Sequence, residues 1–219
     1  MCNLYRHAIS TDELREIARE LERPIEKKSV QANYEPDFVG ADSDGPVIAV
    51  EDGELVVRMR RWGFPAIRDG AKPITNIRNL DSSWWQNVNR EYVFEAAHRC
   101  IIPLASFAEW DRSHKRNAWF EIDAKFPCFA GIWRPWHGER LVEVEGKKRR
   151  ARRTQDFELY AFLTTEPNDT VAAIHPKAMP AILTEPAEMK QWLEGGGDSL
   201  DLQRPLADAM VSLAHGGGN

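Results

Sequence analysis

Two hydrophobic periods alternate along the chain. Near its start, Leu14, Ile17, Ala18 and Leu21 recur at helical spacing, and Ser10 with Glu13 has the pattern of a capping box. This predicts a helix from Thr11 to Glu22, stopped by Pro24. Residues 29–45 are polar and broken by Pro36 and two glycines, which predicts loop or irregular strand. From Pro46 to Trp62, β-branched residues flank Asp52-Gly53, a pair suited to a tight turn, and predict a hairpin. Strand-like apolar runs follow at Cys100–Trp110, Ala118–Ile122, Phe126–Trp133 and Phe157–Thr164. A helix is expected from Pro186 to Leu193, with proline in its first turn, and another from Pro205 to Leu213. Strands dominate the middle of the chain and helices its ends. The expected fold is therefore α+β: one domain over residues 1–215, with a mostly antiparallel, curled or barrel-like sheet and a few peripheral helices. Residues 216–219 read as a flexible tail.

Charge narrows the function classes. The 29 basic and 34 acidic residues sum to −5, which excludes a uniformly basic nucleic-acid coat but allows a local basic groove. No apolar run approaches the ~18 residues of a membrane span, and the first dozen residues lack the apolar core of a signal peptide. Three cysteines, an odd number, point to a reducing cytosol and not to a disulfide scaffold. No CxxC, HExxH, Walker or GxGxxG pattern occurs, so neither a structural metal nor a phosphate-cradling loop is expected. Residues 147–153 hold six positive charges in seven positions, within a segment, about 136–155, that looks like an insertion. The run reads equally as a solvated loop and as a phosphate-contacting arm.

Cys2 is the first candidate for chemistry. Removal of Met1 would leave a thiol and a free α-amine on adjacent carbons. An α-amine has a pKa of ~7.7–8.0 against ~10.4 for lysine, so on the order of 10% of it is neutral at pH 7. Two reactions are open to it: attack of the thiolate on an acyl carbon, or condensation of the amine with an aldehyde, after which the thiol closes a thiazolidine. Cys100 and Cys128 lie in apolar strand context and read as core. Glu109, between Ala108 and Trp110 at the end of an apolar run, should have a raised pKa and could serve as a general acid. Taken alone, it could equally be a strand-end glutamate paired with an arginine. His175 precedes Pro176 and is held extended. Asn76 offers an amide to a thiol, carbonyl or oxyanion, and Arg78 a guanidinium to a phosphate.

Singly these elements are weak; their order is specific. Met1-Cys2, Arg61-Trp-Gly-Phe-Pro65, Asn76-Ile-Arg78, Arg99-Cys-Ile-Ile-Pro-Leu-Ala-Ser-Phe-Ala-Glu-Trp110, Phe129-Ala-Gly-Ile-Trp133, Phe162-Leu-Thr-Thr165, His175 with Met179-Pro-Ala-Ile-Leu183, and Trp192-Leu193 span nearly the whole chain. The series resembles the SOS response-associated peptidase (SRAP) family, whose members crosslink to abasic sites in single-stranded DNA. The resemblance implies Cys2 as nucleophile and crosslinker, Asn76 as the residue that positions it, Glu109 as the acid that protonates the sugar ring oxygen, and His175 as an assistant in proton transfer. It further implies Arg78 on a DNA phosphate. Arg58, Arg60, Arg61 and Trp62 are further candidate DNA contacts, and Trp84-Trp85 a candidate stacking pair. No metal or organic cofactor is implied. The expected protein is a monomeric, cytosolic DNA-damage protein that removes its own Met1. An N-terminal-cysteine amidohydrolase and a non-covalent single-strand binding module are the competing classes.

Overall fold

A computed structural model describes residues 2–68, 71–144 and 149–214. Its strands and helices follow in the order β1 (Leu4–His7), α1 (Thr11–Glu20), β2 (Asp37–Gly40), β3 (Asp44–Glu51), β4 (Glu54–Trp62), β5 (Asn76–Ile77) and α2 (Arg90–Phe94). Then come β6 (Arg99–Pro103), β7 (Ser106–Asp111), β8 (Arg116–Ile122), β9 (Cys128–Val142), β10 (Ala151–Thr165), α3 (Asp169–Ala172), β11 (Met179–Pro180), β12 (Ile182–Leu183), α4 (Pro186–Glu194) and β13 (Val211–Leu213).

The wall β10-β4-β3-β6-β9 closes on itself because β10 also pairs with β9, so five strands form a barrel. A second, five-stranded sheet runs in the order β13-β8-β7-β1-β2. The barrel wall is buried on both sides. Leu159, Ala161 and Leu163 of β10 join one core with Leu14, Ile17, Met189 and Trp192 of α1 and α4. Tyr160 and Phe162, the alternate residues, join another core with Cys2, Tyr5, Phe107 and Phe120 of the second sheet. Burial on both faces explains why these strands read as continuous apolar runs instead of alternating ones.

The α+β barrel expected from the chain is the fold observed. Ser10 and Glu13 make the reciprocal capping box of α1, which ends at Glu20, with Glu22 at positive φ beyond it. Two local expectations are corrected. The run Cys100–Trp110 is not one strand: β6 and β7 belong to different sheets, and Leu104-Ala105 carries the chain between them. Pro205–Leu213 is not a helix. Only a short turn at Asp208–Met210 forms, and Val211–Leu213 pairs with the edge of β8, burying Val211 opposite Ile122. Within the segment expected as an insertion, residues 136–142 and 151–155 continue β9 and β10, paired from Val142↔Ala151 inward. Lys147 and Lys148 of the basic run and the tail 216–219 lie outside the described residues.

One contact ties β1 to the barrel. The hydroxyls of Tyr5 and Tyr160 lie 2.6 Å apart in the core. Gly45 leaves room for them: a Cβ there would sit 2.7 Å from the Tyr5 oxygen and 2.8 Å from that of Tyr160. Overpacking of this kind costs about 1–3 kcal/mol. Gly45→Ala should therefore lower the thermal midpoint, and pairing it with Tyr5→Phe should recover part of the loss. Equal midpoints for Gly45→Ala and the parent would show that the pair yields without cost.

Candidate active site

Four elements bring the candidate residues together. Cys2 enters β1, which pairs with β7 at Leu4↔Ala108 and Tyr5↔Phe107; one step further along that register Asn3 faces Glu109. Cys2 is fully buried, and its thiol points at the Leu4 carbonyl at 3.4 Å. Burial pushes the thiol pKa well above its usual value, and the nearby charge of Glu109 adds to the rise.

Asn76 reaches Cys2 from the barrel. β5 lies parallel to β10 with Asn76 beside Phe162. The Asn76 amide nitrogen donates to the Cys2 carbonyl oxygen at 3.0 Å and to Thr75 Oγ1 at 2.7 Å. Its carbonyl oxygen Oδ1 is buried and has no hydrogen-bond partner among the described residues. The loop leading to Asn76 is held by Trp62, whose indole nitrogen donates to the Thr75 carbonyl, and by a bridge between Phe64 and Ile74. Gly63, at φ +131°, permits the close approach of Pro73, where a Cβ would meet it at 2.6 Å.

Glu109 and His175 lie side by side. Glu109 Oε2 lies 3.7 Å from His175 Nδ1, and its side chain is 1% exposed. Burial raises the Glu109 carboxyl to about 7. His175 follows α3, and its Nδ1 lies 3.0 Å from the Ala178 carbonyl, an acceptor only, so this nitrogen carries the proton and Nε2 keeps a lone pair. The His175 pKa is lowered chiefly by burial, with the positive charges of Lys177 and Arg112 contributing. Near pH 7 about half of a carboxyl raised to about 7 keeps its proton, and an imidazole shifted down is mainly neutral, so one group can donate a proton and the other accept one.

The cations divide differently from the sequence expectation. Arg78 is exposed beside this cluster and donates to the Lys177 carbonyl. Lys177 and Arg112 are also exposed and make no ion pair among the described residues. Sequence reading passed over both; their signal is position, two residues after His175 and three after Glu109. Arg60 is buried, paired with Glu51 and Glu158 and stacked on Trp133. Arg61 faces Asp42 and Asp44 and donates to the Leu141 carbonyl. Arg58 is held by Glu26 and Glu51. Trp62 has no exposed surface and stacks on Phe162. A ring without an exposed face has none to offer a base, and these three guanidiniums are neutralised within the fold. Trp85 is likewise buried against Phe64, with Trp84 half-buried beside the same core. Of the basic run, Arg152 pairs with Glu139 and Arg150 with Glu143. Cys100 and Cys128 are buried free thiols raised to about 12 by burial. Among the described residues, no group of His, Cys, Asp or Glu is arranged to hold a metal ion, and no helix is long and apolar enough to cross a membrane.

A barrel and a second sheet thus bring a buried N-proximal cysteine together with an asparagine, a glutamate and a histidine. Residues 1–214 match the family model described as SOS response associated peptidase (SRAP), and the chain belongs to that family. It is 27% identical over 186 residues to the abasic site processing protein YoaM of Bacillus subtilis, covering 80% of this chain and 74% of the relative. It is 31% identical over 175 residues to the abasic site processing protein YoqW of the same organism, covering 74% and 69%. A crystal structure of a Bordetella bronchiseptica protein shares the fold with a TM-score of 0.66 at 19% identity, over 97% of this chain and 98% of that one. One from Bacteroides thetaiotaomicron does so with 0.64 at 20%, over 95% and 90%.

Proposed function

We propose that this protein captures abasic sites in single-stranded DNA as a covalent thiazolidine on Cys2 after it removes its own Met1. The observation that carries the reading is the convergence on Cys2: Asn76 bonded to its carbonyl, with the Glu109–His175 pair beside it. The names of the relatives point to the same substrate class.

The Cys2 nitrogen is an amide until Met1 is cleaved, and an amine afterwards. The abasic deoxyribose is mostly a closed hemiacetal. Glu109 donates its proton to the ring oxygen while the anomeric hydroxyl loses its own to a base, for which His175 Nε2 is suited, and the aldehyde opens. The Cys2 amine adds to the aldehyde carbon, and water leaves as the imine forms. The thiol then adds to the imine carbon and its proton passes to nitrogen, closing the ring. Asn76 holds the Cys2 backbone during these steps, and its Oδ1 can accept from the new amine. This order suits a thiol whose pKa is pushed up, since the amine and not a thiolate makes the first attack. Thiolate attack on the amide of an external substrate, the amidohydrolase alternative, is disfavoured by the same burial.

The test is incubation with an oligonucleotide carrying one abasic site. A gel-stable adduct is expected, of mass equal to protein lacking Met1 plus oligonucleotide minus one water. Reversible binding alone, or turnover of small amides without an adduct, would overturn the proposal.

Arg78 is proposed as the phosphate contact. Single-strand affinity falls with salt at a log–log slope of about −0.7 per phosphate neutralised. Arg78→Ala should weaken binding and make the slope shallower by about that amount, whereas Arg61→Ala should leave the slope unchanged. A slope for Arg78→Ala equal to wild type between 50 and 200 mM salt would remove Arg78 from the interface.

A further inference from the structure

The outer face of the second sheet departs from its expected chemistry. One face of this sheet packs in the core through Tyr5, Phe107, Glu109 and Phe120. The other face of such a sheet is ordinarily polar. Here the registers Phe38↔Arg6, Leu4↔Ala108 and Ala108↔Trp119 set Phe38, Leu4 and Trp119 on that outer face together. Trp110, two residues beyond Ala108, shares it. Phe38 is 56% exposed and Trp110 51%. The rings of Phe38 and half-buried Trp119 meet across the two intervening strands, 5.3 Å between centroids and tilted by 58°. Arg6, paired in register with Phe38, is exposed and makes no ion pair among the described residues.

We infer that Phe38 and Trp119 form a stacking platform for an unpaired nucleobase, with Arg6 on the adjoining phosphate. The inference rests on the DNA-binding reading above and extends it along the strand. Three observations favour DNA as the occupant. The platform lies across β1, the strand that follows Cys2, with Phe38 on β2 to one side and Trp119 on β8 to the other. Arg6 is four residues from Cys2, roughly 13 Å at strand rise, so one single strand can reach both. The exposed groups are planar rings beside an unpaired cation, the pairing that sequence-tolerant single-strand binding uses. Beyond Phe38 the surface is acidic on balance: the groove there is lined by Asp37, Asp44, Glu143, Asp156 and Glu158 against Arg61 and Arg150, and the two arginines are paired with Asp44 and Glu143, so the excess carboxylates repel a phosphate backbone. The platform is thus the far end of the track.

An undamaged thymidine oligonucleotide tests the platform apart from the reaction. Its affinity is read by fluorescence anisotropy at fixed salt for wild type, Phe38→Leu, Trp119→Leu and the double variant. Leucine keeps an apolar surface and removes the ring. The double variant should bind about tenfold or more weakly, and Trp119→Phe should retain most of the affinity. At saturating protein, the adduct yield on an abasic oligonucleotide should be unchanged. Unchanged affinity in the double variant overturns the platform. So does a shift in sedimentation of the DNA-free protein without a loss of DNA affinity, which would make this face a self-interface. Should Trp119→Leu fail to fold, Phe38→Leu, at a largely exposed position, still decides. If wild type forms no adduct while thymidine binding still depends on these rings, the crosslinking reading fails and the platform stands.

Discussion

Cys2→Ala is expected to form no stable adduct with abasic DNA while binding undamaged single strands as tightly as wild type. In Cys2→Ala protein produced without Met1, as intact mass verifies, alanine presents an α-amine, so an imine can still form. It has no thiol to close the ring, and the imine hydrolyses back. Borohydride should therefore trap the Cys2→Ala imine, whereas the wild-type adduct should survive denaturing electrophoresis untreated. The phosphate contacts proposed at Arg78 and Arg6 do not depend on the thiol, so affinity should be retained. A Cys2→Ala protein that formed an untreated, gel-stable adduct at the wild-type rate would remove the thiol from the mechanism.

Glu109→Gln is expected to slow crosslinking by about 10²–10⁴-fold, the range typical for loss of a positioned general acid. The amide matches the carboxyl in shape but has no acidic proton for the ring oxygen. The pH dependence carries the same signature. In the wild type, Glu109 loses its proton as pH rises through about 7, so the acid-dependent step should decline above that value. The α-amine gains its neutral form as pH approaches ~7.7–8.0. A bell with its optimum between these values is expected, and Glu109→Gln should lose the descending limb. Stability gives an independent reading. The folded-state pKa of Glu109 lies above the ~4.3 of an unfolded glutamate, so the folded state holds the proton more tightly. Stability contributed by the protonated form is complete below about 4.3 and is lost as pH rises toward 7. Glu109→Gln has no such loss: its midpoint should exceed that of wild type at pH 8 and match it near pH 4. A variant that is slower but no more stable at pH 8 would mean that the buried carboxyl is not held protonated by its surroundings.

Local signals in the chain were legible where the interaction is itself local. The capping box of α1 joins residues three apart, and the Asp52-Gly53 turn joins adjacent strands, so both could be read directly. Pro205–Leu213 was misread because Val211 is buried by pairing with β8, some ninety residues earlier in the chain, and not by a helical face. The run Cys100–Trp110 was read through its break because Leu104 and Ala105 are apolar and continue the pattern; Pro103, at the end of β6, is the one local mark of it.

The same division runs through the candidate site. The chain alone determined the residue types: a cysteine after Met1, an asparagine, a glutamate between apolar neighbours and a histidine before proline, in an order that resembles one family. It also determined that a barrel-like α+β domain would carry them. Their meeting was decided only in three dimensions, because Asn76 reaches the Cys2 carbonyl across 74 positions of sequence and His175 lies beside Glu109 through a turn that follows α3. Tertiary structure also decided which cations are available. Arg58, Arg60, Arg61 and Arg78 are alike as residue types, but the first three meet Glu26, Glu51, Glu158, Asp42 and Asp44 once the strands pair, and Arg78 remains at the surface. A charge's sign is written in the sequence, whereas its neutralisation depends on which carboxylate the fold brings within about 4 Å.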